Sequence, residues 1–512
     1  MAAPLPELTP EYMRTMYPQS LELIQAQVFF RHGERSPVKT QLFPKQEWPF
    51  CTQSNYLHSE FMKAIGRFVP KTEPMPLPDA HRMMKGENES SSSQYTQRTR
   101  TMKTGLEYEP AKWSVRLGSS GMDSGDKSDN NSSDPRMCNA GQLTDVGLQS
   151  LERFGKHLRE LYIDKLGIIP ASIGSKVSDF LYIRSTDYSR VLQSTFALLT
   201  GLYPSKERAV FDGAFLVRFP IHTRLHKKET MHGNFACYNF IKYYMDPLPT
   251  EARRLKWIDD VYRQTAGLAS IGSRAKQIMD TPQFGSSFHP VYDELQSLTA
   301  HGVRLPSDIS ADLLASLGRV AYYQWTKVIH TVQGQRLGFG RLLGDITQTM
   351  SQAVAHSRKE AAGDGSQSQL PPHLGAQRKY DLLVSANGGI REETPDEIPR
   401  VPKLALYGGH DITIGPLAII MGSKSPDWLP FASALTFEVF RDKSASVDGQ
   451  YYVRTRLDDK TLQVVTCEPT GKHHPHMGSS MCTLEAFFEH VRPLIATEGE
   501  FKIECGTFPS PE

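Results

Sequence analysis

Three times along the chain, an apolar run of strand length ends in a short polar turn and passes into a helical pattern. The first run, residues 23–30 (LIQAQVFF), leads directly into Arg31-His32-Gly33. The second, residues 179–183 (DFLYI), leads into Arg184-Ser185-Thr186-Asp187, after which Val191, Leu192, Phe196, Leu199 and Leu202 recur at helical spacing. The third, residues 404–407 (LALY), leads into Gly408-Gly409-His410-Asp411 and then an apolar stretch reaching Met421. Short apolar runs bounded by turns, each followed by a 3.6-residue period, read as strand–turn–helix units. Between the first two, residues 144–162 predict another helix, with Thr144 as its N-cap and Val146, Leu151, Phe154, Leu158 and Leu161 on its buried face. The pattern predicts an α/β fold with a mostly parallel central sheet flanked by helices. Residues 118–135 and 359–379 are small, polar and turn-forming, and are expected to be disordered insertions; 87–100 reads as an exposed connection.

Composition narrows the chemistry. The 512 residues suffice for a large core with insertions. Lysine and arginine total 58 against 56 aspartates and glutamates, a net charge of +2. That balance offers no general field for a polyanion, so nucleic acid is not an expected partner, and any anion chemistry must come from a few placed cations. No apolar stretch approaches the ~20 residues of a membrane span. No basic-then-apolar leader opens the chain, so a cytoplasmic location is expected, with a mitochondrial one as the alternative. The six cysteines (51, 138, 237, 467, 482, 505) show no C-x-x-C pair and are expected to be free thiols; Cys482 with Cys505 would be the first bridge to consider in an oxidising setting.

Ligands of open α/β sheets bind beyond the carboxyl ends of the strands. The three polar turns occupy such ends, which lets Arg31, His32, Arg35, Arg184, His410 and Asp411 converge. Arginine forks match phosphate oxygens, a histidine supplies a nucleophile, and a carboxyl supplies a proton to a leaving oxygen; phosphoryl transfer needs all three. Gly33 would let backbone approach a phosphate closely. Taken singly, each signal has a plainer meaning: a structural histidine, an ordinary Gly-Gly loop, an Arg184 that serves a salt bridge. Their co-occurrence favours the phosphate site.

Arg31-His32-Gly33-Glu34-Arg35-Ser36-Pro37 resembles the RHGxRxP signature of the histidine acid phosphatases, a branch of the phosphoglycerate-mutase-like histidine phosphatases. Residues 142–147 (QLTDVG) resemble the family's Q-L-T-x-x-G helix start, 182–190 its segment with a third phosphate-binding arginine, and 407–411 its His-Asp motif. Residues 429–438 and 452–454 are similar to its closing strands. The resemblance runs from about residue 23 to about 505. It implies His32 as the nucleophile that becomes phosphohistidine, Arg31, Arg35, Arg184 and His410 as phosphate ligands, and Asp411 as proton donor and then activator of water. It implies no cofactor and no metal. It also implies a smaller inserted α-helical cap (about 46–115 and 221–335) on a core of about 21–45, 140–220 and 336–512, after an N-terminal extension of 1–20.

The expected activity is phosphomonoester hydrolysis with an acidic optimum. Trp428-Leu429-Pro430-Phe431-Ala432 and the His-Asp spacing look closest to lysophosphatidic-acid-type acid phosphatases, so a lysophospholipid or small phosphorylated substrate is expected. A phytase, or a non-catalytic phosphate-binding protein on the same scaffold, are the alternatives. Gly338-Phe339-Gly340-Arg341-Leu342-Leu343-Gly344 misplaces the third glycine of a dinucleotide fingerprint and reads as a helix start. His473-His474-Pro475-His476 lacks the supporting cysteine or carboxylate of a metal site. The sequons at Asn88 and Asn131 are expected to be unused.

Overall fold

The computed structural model describes residues 2–57, 134–173, 177–208, 210–211, 214–215, 219, 221–224, 229–233, 237–245, 255–280, 288–362, 382–384, 390–392, 401–444 and 450–506. Most of the expected insertions, the 87–100 connection and both sequons lie outside these residues. Of the second insertion, 359–362 close a long helix instead.

The central sheet contains β1 (Leu21–Arg31), β2 (Leu181–Ser185), β3 (Leu404–Gly409), β4 (Ala434–Asp442), β5 (Tyr451–Leu457), β6 (Lys460–Thr461), β7 (His473–His474) and β8 (Gly478–Thr483). Their order is β7-β8-β5-β4-β1-β3-β2, with β6 paired to β5. Only β1–β3 and β2–β3 are parallel; β4, β5 and β8 continue the sheet antiparallel. The sheet is therefore mixed, and its parallel part is the three-strand group read from the sequence. The antiparallel half needs no crossover helices, so it leaves no strand–turn–helix signature.

β1 is buried on both faces. Ala26, Val28 and Phe30 join one apolar cluster with helices α2 (Asp145–Arg159) and α3 (Ser189–Leu202), while Phe29 joins a second on the opposite face. That second cluster includes α9 (Val332–Ala362) and α10 (Asp411–Ile420). Two glutamines would be costly in such a strand, and their amide N–H groups are satisfied. Gln25 donates to the carbonyls of Pro402 and Thr349, and Gln27 to Gln25 Oε1 and to the carbonyl of Ile346 on α9; the buried Gln27 Oε1 has no partner among the described residues. Thr144 caps α2 as expected, accepting from Gly147 N, although Val146 is only half-buried. Helices α5 (Lys256–Ala266), α6 (Gly272–Met279), α7 (Phe288–Ala300) and α8 (Ala311–Thr326) share a third cluster with Leu42 and Trp428; α4 (Tyr238–Met245) instead packs Phe240 into the second.

The cysteines correct the sequence reading. All six are paired: Cys51–Cys138, Cys237–Cys505 and Cys467–Cys482. Two pairs join residues 87 and 268 apart, so only the fold brings them together. Cys482 and Cys505, the expected first pair, each bond elsewhere.

Candidate active site

The three strand-end turns meet at one end of the parallel strands. β1 ends beside β3, with Arg31 paired to Gly409, and His32 N donates to the Gly409 carbonyl at 3.1 Å. This register sets Arg31 and His32 against His410 and Asp411 at the start of α10. The rings of His32 and His410 lie 5.6 Å apart. Arg31 is wholly buried and held from three sides. Its Nη2 lies 2.8 Å from Asp411 Oδ2, its Nη1 donates to the Leu429 carbonyl, and its guanidinium lies 4.2 Å above the Phe431 ring. Its buried Nε has no hydrogen-bond partner among the described residues. The turn supplying Leu429 and Phe431 carries Ala432 at φ 56°, a left-handed conformation costing about 1–2 kcal/mol for a residue with a Cβ.

The tautomer of His32 follows from its neighbour. Nδ1 lies 2.9 Å from the Gly33 carbonyl, which can only accept; Nδ1 therefore carries the proton and Nε2 the free lone pair. Burial, then the charges of Arg190, Arg31 and Arg35, hold this imidazole well below the usual histidine range. It is a neutral nitrogen nucleophile among cations. His410, depressed by the same kinds of cause, has its Nε2 2.9 Å from Thr186 Oγ1, and Thr413 Oγ1 accepts from its backbone N–H. Arg35 forms a two-point pair with Asp293 of α7, at 2.7 and 3.2 Å. Burial pushes the Asp293 carboxyl up, but Arg35, His289 and the Val38 N–H together outweigh it and hold the group at about 2.

Gly33 has a packing role in the fold. A Cβ there would fall 2.4 Å from the Gly147 carbonyl oxygen, and a Cβ on Gly147 would fall 2.2 Å from that of Glu34. The two glycines let the nucleophile turn touch α2 backbone to backbone, with Thr144 N–H donating to the Glu34 carbonyl beside them.

Arg31, His32, Arg35, His410 and Asp411 thus converge, but the Arg184 guanidinium does not join them. Its Nη2 pairs with Glu229 at 2.5 Å and its Nη1 with Asp345 at 3.3 Å, while Arg224 holds Asp345 at 2.7 Å. Glu229 also accepts from the N–H groups of Thr230 and Met231. Arg184 therefore braces the segment that brings His232 to 6.1 Å from His410. The arginine the sequence reading missed is Arg190, the second residue of α3, whose charge is the foremost acting on both His32 and His410. One signal was available: a cation in the first turn of a helix opposes the macrodipole, an unfavourable placement unless an anion binds there.

The sequence profile of the histidine phosphatase superfamily (branch 2) matches residues 22–250. A probable acid phosphatase of Schizosaccharomyces pombe is 26% identical over 441 residues, covering 85% of this chain and 76% of its own length. Lysophosphatidic acid phosphatase type 6 of Bos taurus is 24% identical over 486 residues, covering 95% and 86%. Among solved structures, the apo phytase of Hafnia alvei superposes with a TM-score of 0.51 at 14% identity, covering 96% of this chain and 99% of its own, a likeness of fold. With its signature on the nucleophile turn and acid phosphatases among its relatives, the chain carries a histidine phosphatase (branch 2) domain over residues 22–250 and is an acid phosphatase, a phosphoric monoester hydrolase.

Proposed function

We propose that the chain hydrolyses phosphomonoesters through a phosphohistidine on His32. The observation that carries this reading is the neutral His32 imidazole, its Nε2 lone pair free, buried among the charges of Arg31, Arg35 and Arg190. The arginines neutralise the phosphate oxygens, and His410 stands beside them as a hydrogen-bonding group. The His32 Nε2–phosphorus bond forms as the ester P–O bond breaks, and the Asp411 carboxyl gives its proton to the departing oxygen. Water then attacks phosphorus, Asp411 takes the water's proton, and His32 leaves with its electron pair. Arg190 takes the place first expected for Arg184.

Arg190→Ala and Arg184→Ala separate these two arginines. Arg190→Ala is expected to lower kcat/KM about 10²–10³-fold and weaken inhibition by inorganic phosphate, with the melting temperature nearly unchanged. Arg184→Ala strands Glu229 without its buried partner and is expected to cost about 3–5 kcal/mol of stability. Steady-state kinetics and thermal melts read both. Equal effects of the two changes on phosphate inhibition would return Arg184 to the site.

The optimum is expected in acid. His32 stays neutral there because burial and its neighbouring cations hold it down, whereas a carboxyl donates only where it carries a proton. kcat/KM should therefore rise as pH falls from about 7 toward 5, and a maximum above about pH 8 would overturn the assignment. The likeness to the bovine lysophosphatidic acid phosphatase supports that lipid as the first substrate to test, in a panel with phytate, phosphotyrosine and small monoesters. Greatest kcat/KM on phytate would reverse this preference. The three disulfides support an oxidising compartment over the cytoplasm.

A further inference from the structure

Within electrostatic reach of Asp411 stands a wall of aromatic rings that the phosphate chemistry does not use. His289 and Tyr292 come from α7, Trp325 from α8, and Trp428 from the segment before Phe431. The His289 ring lies between two indoles, 4.4 Å from Trp325 and 5.1 Å from Trp428 by centroids. Tyr292 lies 5.5 Å from Trp428, and the two indoles 6.0 Å from each other.

The placement of this wall is fixed by the site. Asp293, bonded to Arg35, is one turn of α7 beyond His289 and on the same stripe. The His289 imidazole is held below its usual range by burial, against the opposing pull of Asp293 and Asp411, and Arg35 and Arg31 act on it as well. It therefore sits within electrostatic reach of both the carboxyl that serves the leaving oxygen and the arginines that hold phosphate. Its ring nitrogens make no hydrogen bond with any described residue, unlike those of His410, His301 and His490, which do. Its side chain is half-buried, with the ring held between the two indoles. Trp428 Nε1, buried, is likewise without a partner. Burial pushes the Tyr292 hydroxyl up to about 12, so it stays uncharged.

Leaving groups meeting this wall find two indoles, a phenol, an imidazole and no lysine or arginine in it. Such a surface rewards flat or apolar carbon and a hydrogen-bonding oxygen near the ester, and gives nothing back to a polyanion for its lost hydration. We propose that His289, clamped between Trp325 and Trp428, is a specificity-determining residue that contacts the leaving group, and that its wall selects phosphomonoesters of uncharged, carbon-rich alcohols over polyanionic ones. This rests on the Proposed function and adds the substrate class to it.

The test compares wild type with His289→Ala and Trp325→Leu on phenyl phosphate and phytate, with inorganic phosphate as competitive inhibitor. Phosphate fills the arginine site but has no leaving group. His289→Ala is expected to lower kcat/KM for phenyl phosphate about 10-fold, leave the phosphate inhibition constant within about twofold, and narrow the preference over phytate. Trp325→Leu should shift the same ratio in the same direction, which guards against a folding defect in one variant; melting curves check both. An unchanged phenyl phosphate to phytate ratio in both variants would overturn the proposal, as would weaker phosphate inhibition that accounts for the whole loss. If wild type releases phosphate from neither substrate, the proposed activity itself fails, a result distinct from a failure of this wall.

Discussion

Replacing His32 by alanine is expected to lower kcat by about 10⁴-fold or more while leaving inorganic phosphate able to bind. The two halves of that expectation come from different atoms. Chemistry depends on the Nε2 lone pair, which exists because the Gly33 carbonyl keeps the proton on Nδ1. Binding depends on Arg31, Arg35 and Arg190, whose positions do not rest on the imidazole: Arg31 is held by Asp411, Leu429 and Phe431, and Arg35 by Asp293. Brief mixing with a radiolabelled substrate, followed by quenching, should trap an acid-labile, base-stable phosphoenzyme in wild type and none in the variant. Turnover retained in the variant, or label on a residue other than His32, would remove the proposed mechanism.

The elements that were legible share a physical character. Strands β1, β2 and β3 end in polar turns because their carboxyl ends form the site, and that junction of buried strand with polar turn survives in the sequence. Thr144 was legible because an N-cap is a local contact, here to Gly147 N three residues on. What was hidden is set by distance in the chain. The partners of Arg184 come from residues 229 and 345, so its commitment to them leaves no mark around position 184. Strand-end position and the resemblance both pointed to Arg184, whereas Arg190 acts from the first turn of the following helix. The contact of Gly33 with Gly147 is hidden for the same reason, since Gly147 is more than a hundred residues away. The disulfides follow the same rule: Cys237 meets Cys505 only once α4 and α12 (Glu498–Cys505) are docked.

Asp411→Asn is expected to divide substrates by leaving group. Asparagine keeps the size and polarity of the side chain at the first position of α10 but has no proton to give. An alkyl phosphate, whose alkoxide departs only with a proton, should lose about 10²–10⁴-fold in kcat/KM. p-Nitrophenyl phosphate, whose phenolate leaves unaided, should lose much less. kcat/KM is the proper readout because it spans the steps up to departure of the alcohol and excludes hydrolysis of the phosphoenzyme. A plot of log kcat/KM against leaving-group pKa should steepen in the variant, and parallel plots would show that Asp411 is not the donor. The ion pair adds a second signed result. Asp411 Oδ2 lies 2.8 Å from Arg31 Nη2, so a phosphate must compete with a carboxylate for that guanidinium. Removing the carboxylate charge should tighten inhibition by inorganic phosphate even as hydrolysis of alkyl esters fails. Stronger binding with weaker chemistry is the outcome that separates a proton donor from a residue that merely holds Arg31 in place, whose loss would weaken both.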